Sequence, residues 1–93
     1  MVDRERKLLF LINHYGTKKQ QDIAIEELAE LQKAIIKYRR EPSDKTKEAV
    51  VEEIADVQVM LEQLKIIYSC RTKIDAIMDA KIERQIERVM DGS

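Results

Sequence analysis

The sequence contains very few residues that interrupt helices. Among its 93 residues there are two glycines and one proline, the residues on which the tight turns of β-rich proteins depend. The chain is 44% hydrophobic and 38% charged, which is enough apolar material for one small core with solvated outer faces. We therefore expect an all-α protein, folded as a single helical domain over residues 1–93.

Other absences limit the function. Cys70 is the only cysteine, which excludes a disulfide within the chain and suits a reducing compartment. The longest apolar run near the N-terminus covers residues 8–12, too short for a signal peptide or a membrane span. The net charge is −1 and the two signs are interspersed, which argues against binding to nucleic acid or anionic lipid. A cytoplasmic protein without such partners is expected.

Apolar periodicity and end signals predict two helices in the first half of the chain. The first covers about residues 3–15 and ends at Gly16, since glycine commonly follows a helix. The second opens at Thr17, which has capping-box spacing with Gln20. It ends in a basic cluster at residues 37–40, where cations complement the helix dipole.

Two further helices are predicted after the only proline. Residues 41–44 form the clearest loop of the chain. Three side chains here are candidates to cap the third helix: Ser43, Asp44 and Thr46. That helix reaches about Tyr68. The periodic pattern then loses phase around Ser69 without a glycine or proline, and a last helix resumes near Thr72.

A seven-residue acidic segment occurs twice in the chain. Residues 26–32 read Glu-Glu-Leu-Ala-Glu-Leu-Gln and residues 52–58 read Glu-Glu-Ile-Ala-Asp-Val-Gln, with four positions identical. Each copy has two carboxylates three residues apart, which is the spacing of neighbours on one helix face. The pairs are Glu27 with Glu30 and Glu53 with Asp56.

Both acidic pairs interrupt the apolar stripe of their helix. With about 100° of rotation per residue, Glu27 points in nearly the same direction from its helix axis as Leu31 and Ala34. Glu53 likewise points in nearly the same direction as Val57 and Met60. In an antiparallel hairpin, two residues on opposite helices lie at the same height when the mean of their residue numbers falls at the turn. The mean residue number of the two acidic pairs falls between residues 41 and 42, in the predicted loop, so all four acids should meet.

Four clustered carboxylates that face a core repel one another and lose hydration, unless they are protonated or bind a cation. Oxygen ligands without cysteine or histidine nearby favour Mg²⁺ or Mn²⁺, and Ca²⁺ less. We predict a metal site made of Glu27, Glu30, Glu53 and Asp56. Mg²⁺ commonly shares its ligands with phosphate groups, which suggests a phosphorylated substrate.

The last helix changes from apolar to basic along one face, where Lys81 and Arg84 follow Ile77 and Met78. Surface salt bridges are the common explanation for such cations. Beside an acidic metal site they acquire a second explanation, because a triphosphate requires a metal together with cationic groups.

Together these features resemble the MazG-like branch of the all-α nucleotide pyrophosphatases, a superfamily that includes dimeric dUTPases and phosphoribosyl-ATP pyrophosphatases. Its signature is ExxE, a spacer and ExxD, and the resemblance covers about residues 8–89. It implies a four-helix core assembled as a homodimer or homotetramer. It also implies Mg²⁺-dependent hydrolysis of a nucleoside triphosphate between the α and β phosphates, with Mn²⁺ as an alternative metal.

The resemblance implies a role for each motif residue. The four acids would be the catalytic metal ligands, and Lys81 and Arg84 would bind phosphate oxygens of the substrate. Gln20 matches a glutamine that often precedes the first acidic motif and would contact substrate, although a capping role explains Gln20 equally well. No sequence feature identifies the general base.

Three other interpretations remain. A phosphoribosyl-ATP pyrophosphatase-like enzyme is secondary, because the chain lacks the N-terminal Ser-Tyr-Thr-like segment of that branch. A non-enzymatic helical interaction module would leave the acids at a partner surface. A di-iron bundle needs Glu-x-x-His on two helices, whereas the only histidine, His14, lies near the end of the first helix, where we expect exposure or a role at the helix end.

Overall fold

The structure is a computed structural model that describes residues 3–92 as four α-helices. They are α1 (Asp3–Tyr15), α2 (Thr17–Arg40), α3 (Asp44–Ile67) and α4 (Arg71–Met90). Between residues 3 and 92 there is no β-strand. The all-α prediction is therefore confirmed, and each helix begins and ends within about a residue of its predicted position.

Gly16 separates α1 from α2. Its N–H donates to the carbonyl of Ile12 at 2.8 Å, and its φ of 94° lies in the left-handed region that glycine adopts at little cost. The predicted capping box at Thr17 is wrong. Gly16 occupies the cap position, Thr17 is already helical, and no side chain caps α2. Gln20 is instead buried and donates to Gln63 across the interface with α3.

The turn between α2 and α3 is fixed by the capping box of α3. Ser43 Oγ accepts from the Thr46 N–H at 3.1 Å, and Thr46 Oγ1 accepts from the Ser43 N–H at 3.0 Å. The Thr46 hydroxyl also donates to the carbonyl of Glu41 at 2.9 Å. Ser43 is therefore the cap among the three candidates, and Thr46 is buried beneath the turn.

The predicted break between α3 and α4 is confirmed at Ser69. This residue adopts a φ of 51°, which ends a helix in the manner usual for glycine. The Cys70 N–H then donates to the Lys65 carbonyl at 3.1 Å. An ion-pair cluster holds the corner, since Glu62 accepts from Lys65 and from Arg71 at 3.2 Å each.

The packed part of the molecule consists of α1, α2 and α3. Helices α2 and α3 form an antiparallel hairpin with the most extensive contact in the structure, and α1 lies across both. The buried apolar side chains come from these three helices: Leu8, Ile12, Ala24, Val57 and Met60. Helix α4 buries no residue, and residues 75–92 are all exposed.

For the described part of the chain, none of the helices combines the length and apolar character that crossing a membrane requires.

Candidate metal centre

The register of the α2–α3 hairpin follows from a buried amide pair. Gln20 Nε2 donates to Gln63 Oε1 at 2.8 Å, and the numbers of these two residues average to the boundary between Glu41 and Pro42. The residue numbers of the acidic pairs have the same mean, which is why the sequence predicts that these pairs lie at equal height. The hairpin prediction is therefore confirmed, and it brings the α2 acids opposite the α3 acids.

Three of the four predicted ligands meet in one cluster. Glu27, Glu53 and Asp56 each offer a carboxylate oxygen, and these oxygens all lie within 4.8 Å of one another. Ligands on opposite sides of one Mg²⁺ are separated by about 4.2 Å, and those around Ca²⁺ by about 5 Å. Small side-chain rotations would therefore let the three carboxylates share one cation.

Glu30 lies at the edge of this cluster and is not one of its three members. Its carboxylate is exposed and stands 3.7 Å from the ammonium of Lys33, one helical turn along α2. Glu30 is rotated by about 60° from Glu27 around the helix axis, and this rotation directs it toward solvent. Its negative charge nevertheless contributes to the repulsion felt by Glu53.

Glu53 has a raised pKa. Burial of the carboxylate is the largest cause, followed by a hydrogen bond that the protonated group shares with Glu27. Repulsion by the neighbouring carboxylates, in the order Glu27, Asp56 and Glu30, raises the pKa further. All five contributions raise the pKa because this part of the hairpin brings acids together without an equally close cation.

One oxygen of Glu53 also lacks a partner. Glu53 Oε1 is buried and makes no hydrogen bond, and the only other such side-chain atom among residues 3–92 is Gln20 Oε1. A buried carboxylate oxygen without a donor is unfavourable. A hard cation would satisfy this oxygen and remove the repulsion among the acids, so the donor set fits Mg²⁺ or Mn²⁺.

Buried side chains close the seam beyond the acids. Ala24 lies one turn before Glu27 on α2, and Val57 lies one turn after Glu53 on α3. Beyond this apolar layer is the Gln20–Gln63 pair, where Gln63 Nε2 also donates to the sulfur of Met60 at 3.7 Å.

Gln63, which is 1% exposed, is not among the site residues predicted from the sequence. Residues 20 and 63 have the same mean residue number as the acidic pairs. The hairpin geometry that places the acids opposite each other therefore also predicts that Gln63 faces Gln20. Gln20 itself lies seven residues from Glu27, about 10 Å along α2. Its amide nitrogen is occupied by Gln63, and contact with substrate stays a prediction.

The two predicted phosphate-binding cations lie on a different part of the molecule. Lys81 and Arg84 are exposed on α4, which makes at most marginal contact with the other helices. Within residues 3–92, no ion pair joins either cation to the four acids. The structure therefore shows no direct contact between this basic pair and the acids within one chain.

His14 and Cys70 do not belong to the group of ligand atoms. His14 is exposed near the end of α1, as expected, and its ring packs edge-on against Tyr15 with centroids 4.7 Å apart. Cys70 is a half-buried free thiol at the start of α4. The centre accordingly offers carboxylate oxygens only, which disfavours zinc and iron chemistry.

Comparison of the chain with protein-family models, with curated proteins and with solved structures gave no match.

Proposed function

We propose that the chain is a metal-dependent nucleoside triphosphate pyrophosphohydrolase. It would cleave the bond between the α and β phosphates and release a nucleoside monophosphate and pyrophosphate. The observation that carries this proposal is the convergence of Glu27, Glu53 and Asp56 at one height of the hairpin, where Glu53 Oε1 is buried without a donor. A bound cation would relieve the repulsion in such a carboxylate group, and phosphates are the substrates that most often complete the ligands of Mg²⁺.

The three clustered acids would hold the ion, Mg²⁺ or Mn²⁺. When bound there, such an ion polarises a phosphoryl oxygen and lowers the pKa of a coordinated water. Glu27 and Glu53 are half-buried on the hairpin seam, and the buried neighbouring side chains Ala24 and Val57 would hold the backbone of both ligands in position. Asp56 is exposed and marks the side from which a substrate enters.

Glu30 is the acid best placed to accept a proton. It stands outside the ligand cluster, it is exposed to solvent, and it is close enough to influence the pKa of Glu53. Its ion pair with Lys33 is also exposed and therefore weak. An attacking water at the edge of the cluster would have this carboxylate as its nearest uncoordinated base.

Product analysis tests the proposal. The protein is incubated with Mg²⁺ and a panel of canonical and modified nucleoside triphosphates that also includes phosphoribosyl-ATP, and the products are separated by chromatography. We expect monophosphate and pyrophosphate from at least one triphosphate, loss of this activity in Glu53→Gln, and retention in Glu26→Gln. Glu26 is the matched control because it is exposed and points about 100° away from Glu27.

Two outcomes would redirect the assignment. Turnover restricted to phosphoribosyl-ATP would favour the phosphoribosyl-ATP pyrophosphatase-like alternative. Release of orthophosphate and a diphosphate, or no turnover of any compound, would contradict the proposed cleavage. The extensive exposed apolar surface keeps a helical interaction module as the second candidate function, and absence of any response to metal would favour it.

A further inference from the structure

The last part of α2 carries cations without acids. Residues 31–40 contain four lysines and arginines and no aspartate or glutamate. Ile36 points about 180° away from the direction of the acidic cluster, and the side chains of Lys33, Arg39 and Arg40 lie within about 60° of Ile36 around the helix. These four exposed residues, which we call the basic face, therefore lie on the side of α2 opposite the acids.

The helix dipole accounts for only part of the basic face. The dipole attracts cations within the last turn of a helix, which includes Arg39 and Arg40, but Lys33 lies about two turns before the end of α2. The exposed fraction of Ile36 is 52%, and a dipole gives no reason for an apolar side chain among cations. The combination of an exposed isoleucine with three cations needs a further explanation.

The two arginines of the basic face have no side-chain partner within residues 3–92. No ion pair or side-chain hydrogen bond in that part of the chain engages Arg39 or Arg40. Lys33 is paired with Glu30 at 3.7 Å, but both side chains are exposed, so the pair is weak. The charged groups of this face are thus free to bind an anion from outside the chain.

A shallow depression lies between Ile36 and the two arginines. Ile36, Arg39 and Arg40 line this space of about 310 Å³. The arginines follow Ile36 by three and four positions, so they lie one turn further along α2, one on either side of it. A guanidinium binds a carboxylate through two parallel hydrogen bonds. The depression therefore suits one apolar side chain with a carboxylate on each side.

The charge around the turn between α2 and α3 favours an acidic partner. Residues 33–48 contain six cations and three acids, a net charge of +3, whereas the whole chain has a net charge of −1. The rest of the chain therefore carries −4. A positive end on an otherwise acidic molecule attracts anionic partners and repels the same end of a second copy.

Peptide carboxylates fit the basic face better than the phosphates of nucleic acid or lipid. Nucleic acid is bound through many phosphate contacts along its backbone, and a membrane surface is bound through a broad apolar face. The basic face instead places a single isoleucine among three cations over about two turns of helix. Its size and composition correspond to one short acidic segment.

We propose that the basic face binds a short acidic segment of another protein, in which an apolar side chain stands between carboxylates. In this complex Ile36 contacts the apolar side chain, and Arg39 and Arg40 bind the carboxylates. The surface lies on the side of α2 that points away from the metal centre, so a bound partner leaves the acidic cluster accessible. The inference does not depend on the catalytic proposal.

Fluorescence anisotropy with a fluorescein-labelled Glu-Asp-Leu-Asp-Glu peptide tests the proposal. The full chain should bind this probe with a micromolar dissociation constant at low ionic strength. Arg39→Ala and Arg40→Ala should each weaken binding by on the order of tenfold, because each removes a guanidinium that binds a carboxylate. Lys73→Ala removes an exposed cation of α4 and is the matched control, which should leave binding unchanged.

A second peptide separates docking from general charge attraction. Replacing the central leucine of the probe by serine should weaken binding to the wild type. The same replacement should make little difference to Ile36→Ser, because the contact between the two apolar side chains is already lost there. No binding of the leucine peptide, equal affinity of the wild type and both arginine variants, equal binding of both peptides by the wild type, or tighter binding of a single-stranded oligonucleotide or of phosphatidylserine vesicles would overturn the proposal.

Discussion

Glu53 is half-buried on the hairpin seam and surrounded by other carboxylates, and its raised pKa makes the metal-free protein sensitive to pH. The folded state holds the Glu53 proton more tightly than the unfolded state, for which the ordinary value is 4.5. The free energy of unfolding therefore falls as pH rises from about 4.5 through the raised pKa of the folded state. Above that window the full penalty of a charged Glu53 is present.

Denaturation of the metal-free protein at several pH values measures this effect. We expect the wild type to lose stability relative to Glu53→Gln as pH rises through the window, because glutamine does not ionise. Glu62 acts in the opposite sense, since its hydrogen bond with Lys65 lowers its pKa. The stability that ionised Glu62 contributes is lost only as pH falls below about 4.5. The effects of Glu53 and Glu62 on stability therefore occur in different pH ranges. Parallel stability profiles for wild type and Glu53→Gln would contradict the assignment.

The buried pair of Gln20 and Gln63 makes a second prediction at this scale. Gln63→Leu removes the acceptor for Gln20 Nε2 and leaves a buried amide without a partner, which should cost about 1–3 kcal/mol of unfolding free energy. Adding Gln20→Leu removes the orphaned amide and should recover much of this loss. Chemical denaturation of the two single variants and the double variant measures the coupling. Additive losses would show that the amides do not depend on each other.

At the scale of helices, sequence signals identified most ends of the elements because the deciding residues act locally. Gly16 ends α1 through its positive φ, and Ser43 caps α3 through its own side chain. The failure at Thr17 has a local cause as well. The spacing to Gln20 allowed a capping box, but a buried partner on α3 forty-three residues away takes the Gln20 side chain. Such tertiary competition is not visible in a window of four residues.

The position of α4 could not be predicted from its own sequence. Its apolar stripe indicates that one face is buried, but the pattern does not say whether the covering surface belongs to the same chain. The structure leaves residues 75–92 exposed. This result explains why Lys81 and Arg84 do not join the acids, although the motif resemblance implies that they bind the substrate.

The basic pair on α4 supplies a prediction for this helix. If Lys81 and Arg84 bind substrate phosphates, Lys81→Ala and Arg84→Ala should each lower kcat/KM by on the order of tenfold or more. The metal-induced increase in melting temperature should remain, because neither residue contacts the acidic cluster within the chain. Lys73→Ala, on an exposed residue of the same helix, is the control. An unchanged kcat/KM in both variants would indicate that Lys81 and Arg84 are ordinary surface cations.

At the scale of the whole molecule, the sequence predicted the arrangement of the hairpin because a repeat and a single turn determine it. Acidic segments equidistant from the loop must meet once the helices are antiparallel, and three of the four acids do. The rotation of Glu30 toward Lys33 depends on side-chain geometry that helical spacing describes only coarsely. Homo-oligomer formation remains a prediction, and it is the feature that most affects how the exposed apolar surface and α4 are understood.

Thermal unfolding with and without divalent metal tests the central claim most directly. Metal-free Glu53→Gln should be at least as stable as metal-free wild type, because it relieves carboxylate repulsion. Mg²⁺ or Mn²⁺ at 100 times its dissociation constant should stabilise the wild type by about 2.7 kcal/mol, which raises the melting temperature by several degrees. Glu53→Gln should lose this increase, whereas Glu52→Gln, at an exposed neighbouring position, should retain it. A wild type that does not respond to millimolar Mg²⁺ or Mn²⁺, or an equal response in Glu53→Gln, would contradict a metal centre at these acids.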